Sequence, residues 1–235
     1  MLPRPLLDGD HDTSACVYQY ENGHVFRMRV CSPAVGTVAQ PVPRRGRPPA
    51  ASRGDVLEAA LARYLRGRRV DVQAIASDLG LGRTTVYRWF GSREGLLGEA
   101  IVLAGAPLLD AARASAKGRG GPMLLDTFDR INRGLAAAPA LRWFVEQERD
   151  ALRILTSSAG IVHPRMVERV TGLIEEEVRA GRYEPPVEPA TLGFAIVRLA
   201  EAFLYNDADG LRGDVDRLRE VEAALLGVTR KTGTR

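Results

Sequence analysis

The stretch from Asp71 to Phe90 constrains the fold more than any other part of the chain. Helical apolar spacing runs through Val72, Ile75, Ala76 and Leu79, stops at Gly80, and resumes through Leu81, Val86 and Trp89 or Phe90. Two short helices that cross steeply need a small residue where they touch, and Ala76 supplies it. Their turn needs a residue tolerant of positive φ, and Gly80 follows four positions later. The apolar set then locks the second helix onto the first. The spacing predicts a helix-turn-helix, with Asp71 capping its first helix and its second running from about Gly82 to Phe90. Left exposed on that second helix are Arg83, Thr84, Thr85, Tyr87 and Arg88, with no acid among them. Arg can bond guanine O6 and N7, Thr can bond bases or touch a thymine methyl, and Tyr and Thr hydroxyls suit phosphate oxygens. A trihelix used only for packing is the alternative, and it has no need of an acid-free face.

The charge distribution points the same way. The chain of 235 residues has a net charge of +4, yet residues 41–100 hold eleven Arg, no Lys and six acids. One basic block in an otherwise balanced chain suits a module that meets a polyanion; a well-solvated basic surface is the plainer reading. Cys16 and Cys31 form no disulfide framework, and His11, His24 and His163 are too scattered for a metal site. No metal or other cofactor is expected. The N-terminus lacks the apolar core of a signal peptide, and no run approaches the roughly 18 consecutive apolar residues of a membrane span, so a cytoplasmic protein is expected.

Along the chain, residues 1–40 read as a disordered extension. Within it, alternating runs flank Glu21-Asn22-Gly23-His24 in a hairpin pattern, but a lone two-stranded hairpin is marginal in water. Met28 is an alternative start. Residues 41–51 form an extended, basic, proline-rich arm. From Ser52, a cap candidate, the pattern is helical throughout. Val56, Leu57, Ala60, Leu61 and Tyr64 mark the core face of a first helix, and Ser92 caps a fourth. After the break at Gly118–Pro122 come expected helices at 123–138, 140–157, 163–180, 189–206 and 214–228. The expected fold is all-α with about nine helices: a helix-turn-helix domain at 52–98, a helical bundle at 99–228 and a flexible tail at 229–235.

The bundle carries no catalytic signature, and the chain is not expected to be an enzyme. Glu175-Glu176-Glu177 reads as a solvated helix face. Glu148 falls in the middle of an apolar stripe formed by Leu141, Phe144, Val145, Leu152 and Leu155, where a carboxylate must pair, protonate or meet a ligand. The helix over 189–206 is apolar nearly all round apart from Arg198 and Glu201, which predicts cover on both sides. Arg198 and Glu201 can pair with each other at i, i+3. They can equally form a polar hook in an apolar pocket walled by Phe128, Trp143, Phe144 and Tyr205, although those aromatics are also ordinary core residues.

Ile75-Ala76-x-x-Leu79-Gly80-Leu81, Val86-Tyr87-x-Trp89-Phe90 and Ser92-Arg93-Glu94-x-Leu96 resemble the signature of the TetR-like repressors over about 55 residues. Ala151–Thr156 and Ile196–Tyr205 are similar to the QsdR-like branch of that family, associated with lactone signals. The resemblance implies phosphate contacts from Tyr87 and Arg93 and base reading by the start of the third helix. It also implies homodimerisation through about 189–206 and 214–228, and a small apolar effector in the bundle that releases a repressor from its operator. Arg45-Gly46-Arg47-Pro48 resembles the core of minor-groove AT-hooks, which implies that Arg45 and Arg47 insert into A/T-rich DNA. Two positions depart from the family pattern. Asp71 stands where a hydroxyl often meets phosphate, and Gly82 replaces the usual capping Ser. The alternatives are a ligand-independent DNA-binding protein or an activator, with a bundle that only dimerises.

Overall fold

The computed structural model describes residues 16–21, 24–29, 51–205 and 213–228. The chain divides into two compact units, Met1–Gly46 and Arg47–Arg235. In the first, β1 (Cys16–Glu21) and β2 (His24–Arg29) pair antiparallel, with Val17 opposite Met28 and Tyr20 opposite Val25. The alternating runs of the sequence coincide with these two strands. The basic arm, with Arg45 and Arg47, and the tail at 229–235 lie outside the described residues.

The second unit is all-α. Its described residues form ten helices: α1 (Arg53–Leu65), α2 (Val72–Asp78), α3 (Arg83–Phe90), α4 (Arg93–Ser115), α5 (Gly121–Ala137), α6 (Pro139–Gln147), α7 (Ala151–Thr156), α8 (Val162–Arg179), α9 (Pro189–Tyr205) and α10 (Val215–Leu225). Sequence-encoded caps start several of them. Ser52 and Asp55 form a reciprocal capping box on α1. Ser92 accepts the Gly95 N–H at 3.0 Å to open α4, and Asp214 accepts from Arg217 to open α10.

The expected helix over 140–157 is two helices. Glu148 leaves the helical region (φ −95°, ψ 117°) at the end of α6, and α7 starts afresh at Ala151. The break removes Glu148 from the stripe assigned to it and turns Leu152 outward, 47% exposed. Glu177 also departs from expectation. It is buried, not solvated, because Arg182 pairs with both its oxygens and the Gly120 N–H donates to it at 3.0 Å. These contacts, the Arg182 hydrogen bonds above all, hold its carboxyl below the usual glutamate range.

Two apolar cores organise the unit. One joins Val56, Ala60, Tyr64, Ile75, Ala76, Val86 and Phe90 of α1–α3 to Leu96 and Leu97 of α4, and to Leu141, Phe144, Ile154, Leu155 and Val162 of α6–α8. The other lies wholly beyond α3, among Leu109, Leu124, Phe128, Ile131, Val170, Ile174, Leu192, Ile196 and Leu226. The expected boundary at 98/99 therefore cuts through α4 and through the first core. By length and composition α4 is apolar enough to cross a membrane. Here, though, Leu96, Leu97 and Ala100 are packed in the first core and Leu109 and Ala112 in the second, and Glu99, Asp110 and Arg113 sit along its outer side.

Candidate nucleic-acid interface

The interface is assembled by α2, its turn and α3. Asp71 accepts hydrogen bonds from the backbone N–H groups of Gln73 (2.8 Å) and Ala74 (3.2 Å). Those bonds hold its carboxyl below the usual aspartate range, with Arg63 and Arg69 adding to the effect. The acid is thus engaged by its own helix and flanked by cations, which limits the repulsion it offers a polyanion. Gly80 takes φ +64°, and the Leu81 N–H reaches back to the Ala76 carbonyl at 2.8 Å. That close return across the turn sets the crossing of α2 and α3. As the sequence implies, Gly82 gives α3 no side-chain cap.

Val86 and Phe90 anchor α3 in the first core, with Trp89 half-buried beside them. Arg83, Thr84, Tyr87 and Arg88 are exposed, Tyr87 by 43%, and Thr85 is half-buried. Arg83 Nη1 donates to Gln73 Oε1 at 3.4 Å, a long and therefore weak bond. Arg88 has no ion-pair partner among the described residues. Arg53, though exposed, is engaged locally: its guanidinium lies 4.4 Å over the Phe90 ring and pairs with Glu99 of α4.

Arg93, expected at a phosphate, is engaged within the chain. Its Nε donates to the Val70 carbonyl at 2.8 Å, and its two terminal nitrogens hold both oxygens of Glu148, at 3.2 and 2.6 Å. The two side chains are only 18% and 11% exposed. Of the alternatives the sequence left open for Glu148, the pairing one is realised here. Trp143 and Phe144 both meet the end of α1. Trp143 lies over Gly67 at the end of α1, and the Phe144 ring meets Tyr64 edge-on at 5.9 Å. Phe128 is buried in the second core.

The α9 candidates remain nearer together. Arg198 donates to Glu201 at 2.9 Å, so the i, i+3 pair forms. It also donates to the Thr156 carbonyl and to Ser158 Oγ, each at 2.7 Å. The second carboxylate oxygen of Glu201 lies 2.7 Å from Nδ1 of buried His163 on α8. Sequence reasoning left His163 aside as one of three scattered histidines; its single cue is a place on the inner face of a helix. Tyr205 is close enough to Glu201 to feel its charge, and burial with that charge pushes its phenol well above the usual tyrosine range. A groove of about 1,210 Å³ opens between α4 and α8, floored by Val102, Leu103, Ala106, Leu109, Ile161 and Leu173. Arg53–Glu99 and Arg113–Glu176 ion pairs lie along its edge.

Residues 119–227 match the family model of the tetracyclin repressor-like C-terminal domain. Among solved structures the chain is similar to the transcriptional repressor QsdR of R. erythropolis, from the TetR family. The identity is 27% and the TM-score 0.70, over 77% of this chain and 97% of that one. It shares its fold with the TetR family repressor AlkX from Dietzia sp. strain DQ12-45-1b, implicated in biodegradation of n-alkanes. There the identity is 23% and the TM-score 0.52, over 75% and 96% of the two chains. No curated protein matches the chain.

Proposed function

We propose that this chain, a member of the TetR family of transcriptional regulators, is a cytoplasmic repressor that binds a palindromic operator as a homodimer and leaves it when a small apolar effector binds. The observation that carries the reading is the outer face of α3, where Arg83, Thr84, Tyr87 and Arg88 stand exposed with no acid among them. Arg83 and Thr84, at the start of α3, would read base edges, while Tyr87, Arg88 and half-buried Thr85 would serve phosphates and the groove wall. Arg45 and Arg47 of the arm would follow the adjacent minor groove. Two heads must sit about 34–36 Å apart to enter successive major grooves, so dimer geometry decides binding.

The dimer would form through α9 and α10, whose outward faces leave Phe194 (47%) and Val221 uncovered. The α4–α8 groove is the effector site we favour, because α4 also closes the helix-turn-helix and any change in its separation from α8 reaches α3. The groove's floor suits a mostly apolar ligand, and the likeness to QsdR makes lactones the class to try. A ligand that prefers one dimer shape shifts DNA affinity by its differential affinity for the two.

A gel-shift on DNA flanking the chain's own gene, with γ-lactones and acyl-homoserine lactones titrated in, tests both parts. A shift released by lactone supports the whole reading. Loss of all binding, on random DNA and at low salt, refutes it. A shift that no lactone disturbs would favour a ligand-independent regulator. One observation recommends that second reading: Trp143, Phe144 and Glu148 are committed to the head, and Arg198 and Glu201 to each other.

A further inference from the structure

The helix-turn-helix is fastened at both of its ends by one side chain. Arg93 is the first residue of α4, three positions after α3 ends at Phe90. Val70, whose carbonyl accepts from Arg93 Nε, immediately precedes the Asp71 cap of α2. The other face of the guanidinium is held by Glu148, where α6 ends and the chain turns toward α7. That turn is itself fixed: the Glu148 N–H bonds the Phe144 carbonyl at 2.9 Å, and the Glu148 carbonyl accepts from Ala151 at 3.1 Å. A second, looser pair, Arg153 to Glu94 at 3.6 Å, joins α7 to the same turn of α4. A two-pronged guanidinium–carboxylate pair fixes an angle as well as a distance, and its partial burial shields it from salt.

We propose that Arg93 and Glu148 are positioning residues. The pair sets the angle of the helix-turn-helix on the bundle, and thereby the separation of the two reading heads, rather than lending its charge to a phosphate. This rests on the DNA-binding reading above. A two-pronged hold on a phosphate would have to take Arg93 from Glu148 or from the Val70 carbonyl, since each of its three nitrogens is already engaged. The same residue is therefore either a strut, which Glu148 helps, or a DNA contact, which Glu148 withholds. The two roles predict opposite signs for removal of the carboxylate.

The experiment selects an operator from random DNA with the wild-type protein. Arg93→Gln, Glu148→Gln, their double variant and the charge-swapped Arg93→Glu/Glu148→Arg are then compared on that operator and on a copy with one base pair inserted at its centre. Glu146→Gln, on an exposed site of α6, is the control. We expect each single variant to bind the operator about tenfold more weakly, with the double no worse than either single. Discrimination against the inserted copy should shrink, since a loosened head tolerates wrong spacing, while the salt slope stays that of the wild type. The swap should recover part of the loss.

Tighter binding by Glu148→Gln, with a salt slope lowered by about one in Arg93→Gln, would overturn the proposal in favour of a withheld phosphate contact. Additive losses, or unchanged discrimination between spacings, would overturn it as well. If the wild type selects no operator, the DNA-binding reading fails first. Amide exchange across α2 and α3 then still decides the strut: faster exchange in Glu148→Gln supports it, and wild-type exchange refutes it.

Discussion

The two cores of the molecule differ in what they join and in how they handle charge. The first binds the helix-turn-helix to α6–α8 and crosses that junction with an ion pair, Arg93–Glu148, in which every nitrogen of the guanidinium has a partner. The second lies within the bundle and buries a carboxylate that is only half satisfied. Glu222 of α10 is fully buried; one oxygen accepts from Asn132 of α5 at 2.9 Å, and the other has no hydrogen-bond partner among the described residues. A paired charge can set geometry over a wide pH range. A lone buried one makes its surroundings answer to protons.

The largest effect should come from breaking the first core. Phe144→Ala removes the ring that meets Tyr64 and should cost about 3–5 kcal/mol, measured by denaturant unfolding. Because that core is shared, amides of α1 and of α7 should lose exchange protection together. If α7 loosens while α1 does not, the cores are not divided as described. Ile174→Ala, in the second core, should cost about 2–5 kcal/mol without loosening α2 and α3.

Next is the proton dependence of the second core. Burial pushes Glu222 up to about 7, with the charge of Asp129 adding to the effect and the Asn132 hydrogen bond and Arg219 opposing it. The folded chain then keeps a proton that the unfolded chain has released. Stability is therefore greatest below the unfolded glutamate range and falls as pH rises toward 7, by an amount on the order of 3 kcal/mol. Glu222→Gln should flatten that slope and stabilise the protein at pH 8, as read from thermal unfolding against pH. A slope unchanged by the substitution would remove Glu222 as its source.

A smaller loss, about 1 kcal/mol, is expected from Asp71→Ala, which strips α2 of its cap; a shift in the unfolding midpoint measures it. Least of all in stability, within about 0.5 kcal/mol, is Tyr87→Ala. Its effect belongs to DNA: binding to specific and random sequence should weaken alike, whereas Arg83→Ala should also relax base choice. Titration of both variants on both DNAs separates them, and equal losses from Arg83→Ala would end its role as a reader.

The head was legible because its information is local. Ala76, Gly80, Leu81 and Val86 meet within a few residues of one another, so their spacing carries the fold, and the caps at Ser52, Asp71 and Ser92 are equally short-range. The polar links of the bundle have no such signal. Glu148 breaks its helix and faces a guanidinium 55 positions away; Asn132 and Glu222 are 90 apart, His163 and Glu201 38. Nothing in the spacing around Glu148 names its partner, so a continuous helix was the natural reading of 140–157. Glu177 misled for a related reason: in a run of three acids, the one that turns inward is chosen by Arg182 and the Gly120 N–H.

The unbroken course of α4 through both cores bears on how the chain can be divided and recombined. A graft that transfers residues 52–98 to another helical bundle carries Arg93 but leaves Glu148, Phe144 and Trp143 behind, so the transplanted helices arrive with an unanswered guanidinium and an open floor. The portable unit is discontinuous: α1–α4 together with the segment from Leu141 to Leu155. A working hybrid would have to inherit both pieces or re-create the acceptor for Arg93 in its new host.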